Sequence, residues 1–259
     1  MLSRKSGIAI MLGIAVGMCL LMLRLPPMPQ SASYHNFADH RAWVGISNFG
    51  NVASNMAFAV VGVLGLAFLL RLKPQTAAVY FVDQRERWPY TLAFLGILLT
   101  AFGSAYYHMA PNNERLVWDR IPMTIVFGSL VAAVIAERIS VHAGLRLLPF
   151  LVAIGMASVL QWYSDELHGH GDLRFYATVQ AYSTIVLLLA LLLPPKYSRS
   201  SDFAVVAGFY VLAKILELAD QRIFALGHIV SGHTLKHLTA AAAGYWILRM
   251  LQLRKPAPV

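Results

Sequence analysis

The sequence predicts an all-α integral membrane protein, with a seven-transmembrane-helix core plus one additional N-terminal helix. Composition is the first ground: 58% of the 259 residues are hydrophobic and only 13% are charged, where soluble domains carry about 25% charged residues. The second ground is the apolar runs long enough to cross a hydrocarbon layer roughly 30 Å thick. They fall at 7–23, 50–70, 90–109, 121–136, 147–162, 175–193, 203–218 and 234–251.

The first run follows Arg4 and Lys5, a pattern shared by secretory signals and signal anchors. No clear small-x-small cleavage site follows it in "LRLPPMPQSAS", so residues 1–25 are expected to stay as a transmembrane helix or signal anchor. The next five runs are almost free of charge. The last two carry Lys214 and Glu217, then Lys236 and His237, and such side chains inside spans face a bundle interior or a water-filled cavity. The segments on the N-terminal side hold most of the Lys and Arg, among them Arg4, Lys5, Arg71, Lys73, Arg85, Arg87, Arg138 and Arg146. By the positive-inside rule both termini are expected in the cytoplasm. The net charge of +9 is spread over many short loops. It therefore implies membrane headgroups as partner, and no nucleic acid. The one cysteine, Cys19, excludes an intramolecular disulfide or a cysteine metal cluster.

Polar residues gather where the alternating helices meet the non-cytoplasmic face. Ser104 and His108 close the third run, Asp119 precedes the fourth, and His233 and His237 open the eighth. The spacing i, i+4 in both pairs puts each pair on one helix face, one turn apart. HxxxH is a zinc-binding arrangement, and His108, His233 and His237 would complete the protein shell of a catalytic zinc site with an open fourth position. Asp119 is then placed to take the proton of an attacking water. Ser104 would donate to a developing oxyanion or orient a neighbouring group. The bland alternative is that the histidines hydrogen-bond between helices and that Ser104 is a small packing residue.

Other polar stretches compete. "SDELHGHGD" (164–172) offers Asp165, Glu166, His168, His170 and Asp172; it is expected to cap the site, with Asp165 and Glu166 as rim. Lys214 and Glu217 are expected to pair within the bundle, and Ser231 to cap the last helix.

The pattern Ser104-x3-His108-x10-Asp119 with His233-x3-His237 resembles the alkaline ceramidases. These belong to a superfamily of seven-helix membrane hydrolases that includes adiponectin and progestin receptors and GPI-remodelling lipases. "NVASN" (51–55) is similar to the opening of the first core helix in that family. The resemblance implies a ceramidase-like hydrolase domain over residues 39–252 and zinc held by His108, His233 and His237. It also implies that Ser104 and Asp119 act on water and on the tetrahedral intermediate, and that a lipid drawn from the bilayer is cleaved at its N-acyl amide to a fatty acid and a sphingoid-type base. The family's acidic calcium site has no equivalent in "NFADHRAWVGISNFGN", whose only carboxylate is Asp39 beside the neutral donors Asn48 and Asn51. Calcium prefers several carboxylates among its oxygens, so no calcium requirement is expected. Two other readings use the same residues: a receptor or signalling protein on the same scaffold, and a metal or proton transporter.

Overall fold

Residues 2–257 are described by a computed structural model. Among them there is no extended strand, and the helices run α1 (Arg4–Arg24), α2 (Phe49–Ala53), α3 (Met56–Arg71), α4 (Pro74–Tyr80), α5 (Arg87–Met109), α6 (Asn113–Arg138), α7 (Val141–Leu167), α8 (Arg174–Leu189), α9 (Asp202–Leu218), α10 (Asp220–Ala225) and α11 (Gly232–Leu253). Six units are long and apolar enough to cross a membrane: α1, α2 with α3, α5 with the turn before it, α6, α7 and α8. That is the make-up of a multi-pass membrane protein. The two remaining long helices, α9 of 17 residues and α11 of 22, lie against each other and close the bundle. In α11 the apolar run is diluted by His233, Lys236, His237 and Arg249.

The helix α6 is central, with 72% of its apolar window buried against 11% for α1. It packs on α5 and α7, while α3 lies beside α5 and α11 beside α3. The helix α1 runs antiparallel along α8: Leu2 N–H donates to Leu192 O (2.8 Å), and at the other end Arg174 Nη1 donates to Met22 O (3.1 Å). In a chain whose helix surfaces meet lipid, packing rather than the hydrophobic effect holds helices together, and small residues at crossings allow close approach. Gly103 does this on α5: a Cβ there would lie 2.0 Å from Trp118 O on α6. The same carbonyl is free because Pro122, four residues on, has no N–H to donate to it.

The two ends of the bundle differ. At one end Glu137 takes a hydrogen bond from Tyr90 Oη (2.7 Å) and an ion pair from Arg254, with both charged side chains buried. The Arg254 guanidinium is walled by Phe81, Tyr90 and Tyr197 at 4.5, 5.4 and 4.0 Å. Close by, buried Glu86 binds Tyr197 Oη (2.6 Å) and Lys196. These contacts tie the C-terminal segment to α5 and α6.

Truncating Glu137 strands a buried cation, a loss of roughly 3–5 kcal/mol. Glu137→Ala is expected to lower the unfolding midpoint in detergent micelles sharply, and Glu137→Ala with Arg254→Met to recover most of the loss. Equal midpoints for the wild type and Glu137→Ala would refute the ion pair's role.

Candidate metal centre

The other end carries the residues singled out by spacing. The last turn of α5 holds His108 and the first two turns of α11 hold His233 and His237. All three are buried, at 1%, 4% and 3% exposure. Their ligating nitrogens lie within 4.8 Å of one another, and the ring centroids form a near-equilateral triangle of 4.7, 4.9 and 4.8 Å.

The helix starts position them. Ser231 caps α11, its Oγ accepting from Thr234 N–H at 3.1 Å, as its sequence position predicts. Gly232 then lets α11 press against the preceding helices, since a Cβ there would sit 2.3 Å from Leu216 O and 2.7 Å from Asp220 Cα. Asp220, buried at the start of α10, accepts from the backbone N–H of His233 (2.7 Å) and of Ala38 (2.8 Å). One carboxylate therefore fixes a histidine backbone and the segment above it. Asn48, at φ +50°, donates from Nδ2 to His108 O (2.9 Å), a left-handed conformation that asparagine tolerates better than most residues.

The donor set suits a divalent metal such as zinc. His108 Nε2 and His233 Nε2 are 3.2 Å apart, close to the edge of about 3.4 Å that two nitrogens span on a tetrahedral ion at 2.0–2.1 Å. Ser54 Oγ donates to Asn51 O (3.0 Å) and lies 2.8 Å from His237 Nδ1. With the hydroxyl hydrogen on Asn51, the Ser54 oxygen is placed to accept Nδ1–H from His237, the tautomer that leaves the Nε2 lone pair free for a metal. His108 Nδ1 is buried without a partner, so hydrogen bonding within the protein does not fully account for that ring.

On one side the triad is covered by Phe37, whose ring lies 4.6 Å from His108 and 4.5 Å from His233. On the other side His237 lines a cavity of about 330 Å³ shared with Ser104 and Asp119. The structure thus places Ser104, Asp119 and the three histidines at one end of the bundle. Asp119 stands differently from the reading of the sequence: it is two turns inside α6, not ahead of it, because Asn112 caps a helix that starts at Asn113. The polar stretch "NNERLVWDR" hides that start from a hydropathy reading.

The 164–172 loop is not part of the triad. His168 Nδ1 bonds Ser164 O at 2.7 Å and its ring stacks on His170, and among the described residues the triad is the one group of this kind. Glu166 does reach the site's surroundings, through a chain Glu166–Asn113–His35–Tyr107 with links of 2.9, 2.8 and 2.8 Å. Glu217 pairs with Lys214, as the spacing predicts, and also with Lys236. The sequence assigns no role at this site to Phe37, Ser54 or Asp220, and Asn48 figures in it only as a neutral oxygen donor; "NVASN" contains Ser54.

The segment 30–48 is clasped to the bundle by Asp39 and Arg41. Arg41 pairs with buried Asp39 (2.7 Å) and donates to the carbonyls of His228 and Ile229. No protein-family model matches the chain and no curated protein matches it.

Two outcomes follow. Gly103→Ala, at the α5–α6 contact one residue before Ser104, should cost about 1–3 kcal/mol by overpacking and lower metal retention; unchanged stability and metal content would contradict that contact. The Arg41 hydrogen bond holds the Asp39 carboxyl below the usual carboxylate range. Its contribution is therefore complete above the unfolded value of about 3.9 and is lost as pH falls through the lower folded one. Amide protection factors at 228–230 should fall only below about pH 4 in the wild type and be low already at neutral pH in Asp39→Asn. Equal protection at pH 3 and pH 7 would argue against the clasp.

Proposed function

We propose that the protein is a zinc-dependent membrane amidase of the alkaline ceramidase type, hydrolysing the N-acyl amide of ceramide or a related lipid. In this reading α2 with α3, α5, α6, α7, α8, α9 and α11 form the seven-helix core, α1 is the additional helix, both termini are cytoplasmic and the site faces the other side. The observation that carries it is the juxtaposition of a buried three-histidine group with Ser104 and Asp119 at the polar end of a mainly apolar cavity. The cavity wall beyond them includes Ile97, Val126, Leu130, Leu187, Val206 and Ile247, a surface for an aliphatic chain, whose burial supplies energy for positioning the amide.

His108, His233 and His237 would hold the metal, which supplies Lewis acidity for carbonyl polarisation and water activation. The remaining work falls to the chain's own groups. The Asp119 carboxylate accepts a proton from water as its oxygen adds to the amide carbon, and returns it to the nitrogen as the C–N bond breaks. Ser104 Oγ donates toward the oxygen that gains charge, or holds Asp119 in place. Ser54 keeps His237 in one tautomer, and Phe37 closes the side away from the cavity.

The lining is mainly apolar, and Lys214 and Lys236 are tied up with Glu217, which counts against transport along a path of free polar groups.

The deciding comparison is metal content and fatty-acid release from N-acyl lipids for the purified full chain and three variants. His233→Ala should lose both, while Asp119→Asn and Ser104→Ala should keep the metal. Of these two, Asp119→Asn should lose about 10²–10⁴-fold in turnover and Ser104→Ala about 10²–10³-fold. A folded wild type without metal, or full activity in His233→Ala, would end this reading.

A further inference from the structure

The same cavity contains a cation that nothing in the hydrolytic scheme uses. Arg120, one residue after Asp119, lines the cavity at 5% exposure. Its Nη2 donates to Gln30 Oε1 at 2.6 Å, and its Nη1 is buried without any partner. The guanidinium lies 4.3 Å from the Trp162 ring, 4.8 Å from Tyr176 and 5.5 Å from Tyr34. Aromatic faces attract a cation, but they do not neutralise it.

The other charges lining the cavity are differently placed. Lys214 and Lys236 both pair with Glu217. Among the described residues Arg120 makes no ion pair, not even with the adjacent Asp119. Leaving a charge buried and uncompensated is costly, and buried arginines are ordinarily paired with carboxylate or phosphate. Gln30 holds one edge of the guanidinium and leaves Nη1 without an acceptor, on a residue that lines the cavity. The aromatic walls exclude water, so a hydrogen bond made there is stronger than at the surface.

We propose that Arg120 is an anion subsite: the cavity takes a single-chain amphiphile whose carboxylate or phosphate oxygen accepts from Nη1 while its aliphatic chain lies along the apolar wall. This deepens the amidase reading, on which it rests for the identity of the cavity as a substrate site. Of the substrates in that reading it favours a related N-acyl lipid with an anionic group over ceramide itself, which has none, with Arg120 as the residue that selects for it. Arg120 is then a specificity residue, distinct from the groups that act on the amide.

The test is equilibrium binding of radiolabelled dodecanoate to the full-length protein in nanodiscs, with unlabelled dodecanoate, dodecyl phosphate and dodecanol as competitors. None of these probes can be cleaved, so the measurement is independent of hydrolysis. In the wild type both anions should compete at least tenfold better than dodecanol, and whichever is stronger identifies carboxylate or phosphate as the group held. Arg120→Met should lose at least tenfold toward the anions with dodecanol unchanged, and Arg120→Lys should retain part of the preference. His233→Ala should keep the preference, which separates Arg120 from any anion binding by a metal at the triad. Dodecanol competing as well as dodecanoate in the wild type would overturn the proposal, with no variant needed. Loss of the preference in His233→Ala, with Arg120→Met unaffected, would equally overturn it.

Discussion

Three imidazoles in mutual contact, sealed from solvent within a bundle of apolar helices, set the terms for everything around them. Neither lipid nor aliphatic side chains can satisfy ring nitrogens, so each must find a protein partner or a shared cation. The surroundings are built to that end: Ser54 holds His237 Nδ1, Asp220 holds the backbone of His233, and Asn48 holds the carbonyl of His108. Asn48 and Ser54 flank α2 and Asp220 opens α10, while the histidines stand on α5 and α11, so the site exists only when all four helices are in place.

Small residues make that convergence geometrically possible. Gly103 brings α5 against the Trp118 carbonyl, next to Asp119, and Gly232 seats α11 on Leu216 and Asp220. Both stand immediately before a residue of the site, Ser104 and His233. The opposite end is fastened by charge instead, through Glu137 with Arg254 and Glu86 with Lys196. The cavity between the two ends thus has rigid limits, with polar groups concentrated at one of them.

Much of this was legible in the sequence. Apolar run length gave the helices, because a span needs about 20 apolar residues whatever its neighbours are. The i, i+4 spacing gave the faces of the Ser104/His108 and His233/His237 pairs, because helix geometry is local. What stayed hidden depends on long-range packing. Nothing in the sequence marks Phe37, whose ring lies over two histidines, and three-residue spacing places Asp220 with Lys214 and Glu217 without showing that it bonds His233 and Ala38. Arg120 stands in no motif of the sequence. Its lack of an ionic partner is a property of the folded cavity, and no spacing encodes it.

The account rests on His108, His233 and His237 sharing one metal ion. X-ray absorption at the metal edge of the purified full chain tests this most directly. Three imidazole nitrogens at about 2.0–2.1 Å from one zinc per chain, with one nitrogen lost in His108→Ala, is the predicted result. A folded protein with no bound metal, or a metal shell made only of oxygen, would contradict it.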